Sequence, residues 1–230
     1  EGRNPFYTDL LFHPQGVSLA FHNIAWINIA LWLPLQAIVG GDTAYGLTFL
    51  FFCTLNGFAM FLLARELVDS PLAAFIGGLI FGFWPATMSQ FGHPNMKVTC
   101  WVPLALLCMQ RTLDRGRVKD ALMTGLFVAL TGLTRWQILL MAAVLFILYL
   151  AWEFLQDRTH WNRRTMSLLI LAGLVAGALM APLATPVASA LLACDNLDEV
   201  LFTEEVGGQT DLLAYVLPTP YHPLWNKGAE

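Results

Sequence analysis

Asp9 is the one acid in the opening segment NPFYTDLLFHPQG, and His13 follows it four residues later. A carboxylate there could take or orient the proton of a hydroxyl group. It could equally cap a helix, since Thr8 and Asp9 precede an apolar LLF. His13 could share a metal with Asp9 if the stretch were helical, although Pro14 argues for a turn at that point. Three further polar side chains stand at breaks in the apolar sequence. His93 lies in GHPN, Lys97 follows shortly after, and Arg135 separates two long apolar runs. Arg135 has a planar donor fork that suits a phosphate. Flanked by Thr134 and Trp136, it could also snorkel to lipid headgroups. No Gly-rich nucleotide loop, nucleophile elbow, HExxH or CxxC occurs.

The elements that must position these groups are membrane elements. The chain is 57% hydrophobic, with a mean hydropathy of +0.61 and only 12% charged residues; soluble domains carry about 25%. Uncharged runs occupy 43–64, 71–96, 98–110, 121–134, 136–152 and 165–194. A helix needs about 20 apolar residues to cross the hydrocarbon core, and several runs meet or approach that length. They do not alternate as barrel strands would. The fold class expected is all-α, a polytopic transmembrane helical bundle. A single helix over 120–155 would be about 54 Å long, so Arg135 must divide it. GHPN similarly divides 71–112. Spans are expected near 45–64, 71–88, 97–112, 120–134, 137–155 and 166–186.

The cations then orient the bundle. Arg65, Arg111, Arg115, Arg117, Lys119, Arg158, Arg163 and Arg164 fall on one side, against Arg3, Lys97, Arg135 and Lys227 on the other. The richer side is cytoplasmic by the positive-inside rule. Residues 23–40 (NIAWINIALWLPLQAIVG) are apolar enough to tempt a span assignment. Pro34 interrupts them, and Trp26 and Trp32 suit a headgroup layer, so an interfacial or re-entrant helix is expected there. The domains expected are 1–44, an extracytoplasmic loop with this helix; 45–186, a core of about six spans; and 187–230, the start of an extracytoplasmic segment. The chain opens at Glu1 without Met, and an upstream membrane helix is expected.

Several features read as packing or solvation. Cys53, Cys100 and Cys108 lie in apolar runs as small buried residues, and Cys194 lies at a boundary. Gly77, Gly78 and Gly82 suit close helix contacts. Asp195, Asp198, Glu199, Glu204, Glu205 and Asp211 read as a solvated acidic loop. No basic tract suggests nucleic acid.

TDLLFHPQG, followed by an aromatic amphipathic stretch, then LLARELV, LAAFIGGLIFGFWP, GHPN and WVPLALL, resembles bacterial membrane proteins of the GT-C glycosyltransferase superfamily. The C-terminal DLLAYVLPTPYHPLWN is similar to the segment after their membrane core. The resemblance implies an enzyme of the bacterial plasma membrane with its active face outside. It would move a sugar from a polyprenyl-phosphate donor to a glycan, lipid or protein acceptor. It also implies an essential acid in the first outer loop, which Asp9 matches. The second acid found in several branches is Thr8 here. A divalent cation is therefore open as a cofactor, and no metal ligand set is assigned. In such a site Asp9 would be the base, and Arg135 or Lys97 would meet the phosphate. His93 and His13 would line the same cavity. A lipid or solute transporter is the alternative, although the spans carry no internal Asp, Glu, Lys or Arg of the kind transporters use. A non-catalytic subunit of a membrane complex is a third.

Overall fold

The computed structural model describes residues 6–11, 13–20, 22, 24–85, 88, 97–158 and 161–192. Contacts divide the chain into two units, 1–188 and 189–230, of which the second is described only at the end of the last helix. Among its described residues the first unit is all-α apart from one small hairpin, β1 (Tyr7–Thr8) with β2 (Val17–Ser18), antiparallel with Tyr7 opposite Ser18. Seven helices are fully described after it: α1 (Trp26–Val39), α2 (Gly41–Leu67), α3 (Pro71–Gly82), α4 (Trp101–Arg115), α5 (Val118–Thr134), α6 (Trp136–Gln156) and α7 (Arg163–Leu192).

Of these, α2, α6 and α7 are long and apolar enough to cross a membrane. On α6, Leu140, Met141, Ile147, Leu148 and Leu155 stay exposed. So continuous an apolar flank suits hydrocarbon rather than water. Helix α1 has 14 residues, a reach of about 21 Å, which is short of the bilayer core. Pro34, read as interrupting this apolar run, lies inside the helix. Packing of Ile27 and Leu31 on the α2 cluster holds the helix together across the lost hydrogen bond. Helix α3 closes at Gly82, earlier than the expected 88. Its start is well defined: the Ser70 hydroxyl accepts from the Ala73 N–H at 3.3 Å, and Pro71 takes the first turn. The expected break at Arg135 is present, with Arg135 extended (φ −164°, ψ 127°) between α5 and α6.

Two glycine contacts set the packing. A Cβ on Gly78 would lie 2.6 Å from the Gly57 carbonyl oxygen, so α3 touches the α2 backbone. Gly82 meets Gly57 in the same way, whereas a Cβ on Gly77 would meet open space. The small-residue expectation therefore holds for two of its three glycines. Gly125 serves the corresponding contact between α5 and α7, facing the Ala172 carbonyl. Behind these contacts lie two cores. Phe52 and Ala59 of α2 pack with Val98 and Cys100, and Ala105 and Met109 of α4 pack with Ala142 and Phe146 of α6.

At one end of the bundle, Glu66 closes α2 onto α4. Its carboxylate accepts from Arg111 at 2.6 and 3.2 Å and also from Arg115. This ties together two members of the cation-rich side.

Candidate functional site

Away from Glu66, two of the candidate cations are linked through a clamp. Asn56 lies mid-way along α2 with no solvent exposure. Its Nδ2 donates to the Lys97 carbonyl at 2.5 Å, and its Oδ1 accepts from the Thr99 N–H at 3.1 Å. An amide can satisfy a carbonyl and an N–H of extended chain simultaneously, which fixes the segment before α4. That segment leads directly into α4 at Trp101. The Trp101 indole then donates to Thr134 Oγ1 at 3.1 Å and stacks on Phe127 with centroids 6.2 Å apart. Thr134 is the last residue of α5, so Arg135 follows directly. Lys97 and Arg135, 38 positions apart in sequence, thus belong to one connected end of the bundle.

Their environments differ. Lys97 is only 1% exposed, and its Nζ sits 4.1 Å from the centroid of the Phe49 ring. That is a cation–π contact. Arg135 is half-buried, and its Nε donates to Gln137 Oε1 at 2.5 Å. Its extended backbone and partial exposure leave the guanidinium accessible to an outside anion.

Beside this end runs a groove of about 650 Å³ between α2, α3, α4 and α6. Trp84, Thr99 and Ile138 line it near the polar end, and Met60, Met141, Ala142 and Leu145 line it further along. Ile138 is three residues from Arg135, and Thr99 is two from Lys97. The groove therefore begins where the cations are and continues along apolar walls. Ile80, Trp84, Met141 and Leu145 are exposed, so it opens on the flank of the helices.

Asp9 and His13 lie on the hairpin that precedes α1. Both are exposed. Thr8 Oγ1 accepts from the Leu10 N–H at 3.2 Å, so Thr8 makes the local turn and Asp9 caps no helix. The helical reading that would have stacked His13 one turn above Asp9 gives way to this loop. The Tyr7 hydroxyl closes it by donating to the Gln15 carbonyl. Gly16 has φ +70°, and a Cβ there would collide with Tyr7, so only glycine fits. Phe6 rests on Trp26 with centroids 5.8 Å apart, which fastens the hairpin to the start of α1.

His93 and the acidic stretch 195–211 lie outside the described residues, as does Cys194. Cys53, Cys100 and Cys108 are buried free thiols, as expected. Among the described residues no three His, Cys, Asp or Glu side chains cluster as a metal site. Sequence reasoning missed Asn56. Its signal was present: one amide inside FLFFCTLNGFAMF, where a polar side chain needs partners.

An all-α membrane protein with a polar end and an adjoining apolar groove is the class these features define. The chain belongs to the DUF6311 family, a domain of unknown function whose model matches residues 3–190. No curated protein and no solved structure matches it.

Proposed function

We propose that this protein is an integral membrane glycosyltransferase that moves a sugar from a polyprenyl-phosphate donor to an acceptor on the extracytoplasmic side of a bacterial plasma membrane. The observation that carries this reading is the apolar groove of about 650 Å³ that begins beside Thr99 and Ile138. A polyprenyl chain needs such a path, with a cation where its phosphate emerges.

In this reading Arg135 meets the phosphate, and its charge stabilises the leaving group as the sugar–phosphate bond breaks. Lys97, turned onto Phe49, adds positive potential from behind rather than direct contact. Asp9 takes the proton of the acceptor hydroxyl, and His13 and His93 line the acceptor side. Residues 1–44 form the outer loop with its short helix, 45–186 the membrane core, and 187–230 the start of an outer segment.

The test is transfer in proteoliposomes supplied with polyprenyl-phosphate hexoses and a hydroxyl acceptor. Asp9→Asn should lower the rate by at least about 100-fold, the scale of a positioned base. Full transfer by that variant would end the role given to Asp9. No transfer by the unaltered protein from any such donor would end the transferase reading itself.

A further inference from the structure

A second, smaller cavity of about 160 Å³ lies between α1 and α2. Its lining includes Asn28 and Trp32 from α1, and Tyr45, Thr48, Phe49 and Phe52 from α2. Two facts set it apart from a packing defect. Asn28 Oδ1 and Thr48 Oγ1 have no hydrogen-bond partner, although both side chains are more than nine-tenths buried. A buried polar atom without a partner is costly, and here two of them line one space. The remaining walls are aromatic, and Trp32 is held in place because its indole N–H donates to the Gly41 carbonyl at 3.3 Å.

We infer that this cavity is a binding site for one neutral pyranose ring. A closed cavity of about 150 Å³ holds a bare benzene ring; here Ile29 and Tyr45 at the rim are exposed, so a larger substituted ring can seat one face inside and leave its other hydroxyl groups outside. A pyranose offers apolar C–H faces to aromatic walls and hydroxyl groups at its edge. Asn28 Oδ1 would accept from one hydroxyl, and Thr48 Oγ1 would exchange a hydrogen bond with another. Charge selects further. No charged side chain lines the cavity, so a uronate would find no partner there. A protonated amino sugar would find no counter-charge there either. An alkyl chain would fill the space but leave both polar atoms unsatisfied.

The sugar preference follows from the cavity itself; a place for that sugar in a transfer reaction rests on the transferase reading above. The cavity sits on the stretch of α2 that precedes the Asn56 clamp, on the side of Lys97 and Arg135 rather than of Glu66.

The test uses the full chain in nanodiscs free of glycoside detergent. Ligand-observed saturation-transfer NMR would be run with methyl glucoside, methyl galactoside and methyl mannoside, with cyclohexanol as a ring of similar size that carries one hydroxyl. At least one glycoside should bind saturably and more tightly than cyclohexanol. Asn28→Leu and Thr48→Val should each weaken it about tenfold or more. Both variants remove an unsatisfied buried atom, so each should melt no lower than the unaltered protein when unliganded, which separates lost binding from lost fold. No saturable glycoside binding, binding undiminished in both variants, or a preference for cyclohexanol would each overturn the inference. The two proposals fail differently. Transfer without glycoside binding leaves the transferase reading and removes this site. Glycoside binding without transfer does the reverse.

Discussion

Asn56 spends both ends of its amide on backbone atoms of residues 97 and 99, and everything at the polar end depends on that segment. Asn56→Leu leaves a buried carbonyl and a part-buried N–H without partners, at a cost of about 1–3 kcal/mol for the buried one. The variant should therefore melt well below the unaltered protein in detergent, and its transfer activity should fall even at temperatures where it stays folded. An unchanged melting temperature would show that the clamp is dispensable. The two cations separate at the same scale. Arg135 is accessible, whereas Lys97 is sealed against Phe49. Arg135→Ala should lower the transfer rate about 100-fold or more, the scale of a lost donor to developing charge. Lys97→Met, which keeps the stem and removes a buried ammonium, should lower it less than tenfold. The reverse order in a steady-state assay would move the phosphate to Lys97.

At the scale of elements, the contact between α2 and α3 rests on bare backbone. Gly78→Val must push α3 away from the Gly57 carbonyl, and overpacking of this kind costs about 1–3 kcal/mol. Gly77→Ala, one position along, meets nothing and should leave the melting temperature unchanged or raise it, because alanine favours helix over glycine. Equal effects from the two would mean that α3 is not seated as described. Much of this scale was legible in the sequence. Arg135 announced a helix boundary because a cation in the middle of a span is costly, and the glycines of FIGGLIFG announced a close contact. What stayed hidden was long-range or local in a different way. The Asn56 clamp joins positions 41 and 43 residues apart, which no periodicity encodes. Pro34 promised an interruption, yet tertiary packing carries α1 through it. The hairpin around Asp9 followed from Tyr7 and Gly16 fitting each other, a pairing that an apolar LLF after an acid gave no reason to expect. The candidate site was legible in part: its cations were named, but not the reason they share one end.

At the scale of the whole molecule, the arrangement depends on how many times the chain crosses before α2. Helix α1 reaches about 21 Å and is followed at once by Gly40 and α2; the proposed topology has it turn back along α2 without crossing the bilayer. Ser18 then lies on the same side as the start of α2. Lys119, at the start of α5, lies on the side of Glu66, Arg111 and Arg115. Both Ser18 and Lys119 are exposed, and Cys53, Cys100 and Cys108 are buried, so a Cys194→Ser background suits single-cysteine labelling. In intact cells an impermeant maleimide should modify Ser18→Cys directly and Lys119→Cys only after the membrane is opened. The positive-inside rule makes the same assignment from independent information, since the cations near Lys119 outnumber those near Ser18. If Ser18→Cys also needs an opened membrane, α1 crosses. Asp9 would then face the cytoplasm, on the opposite side of the bilayer from Arg135, and no single substrate could touch both.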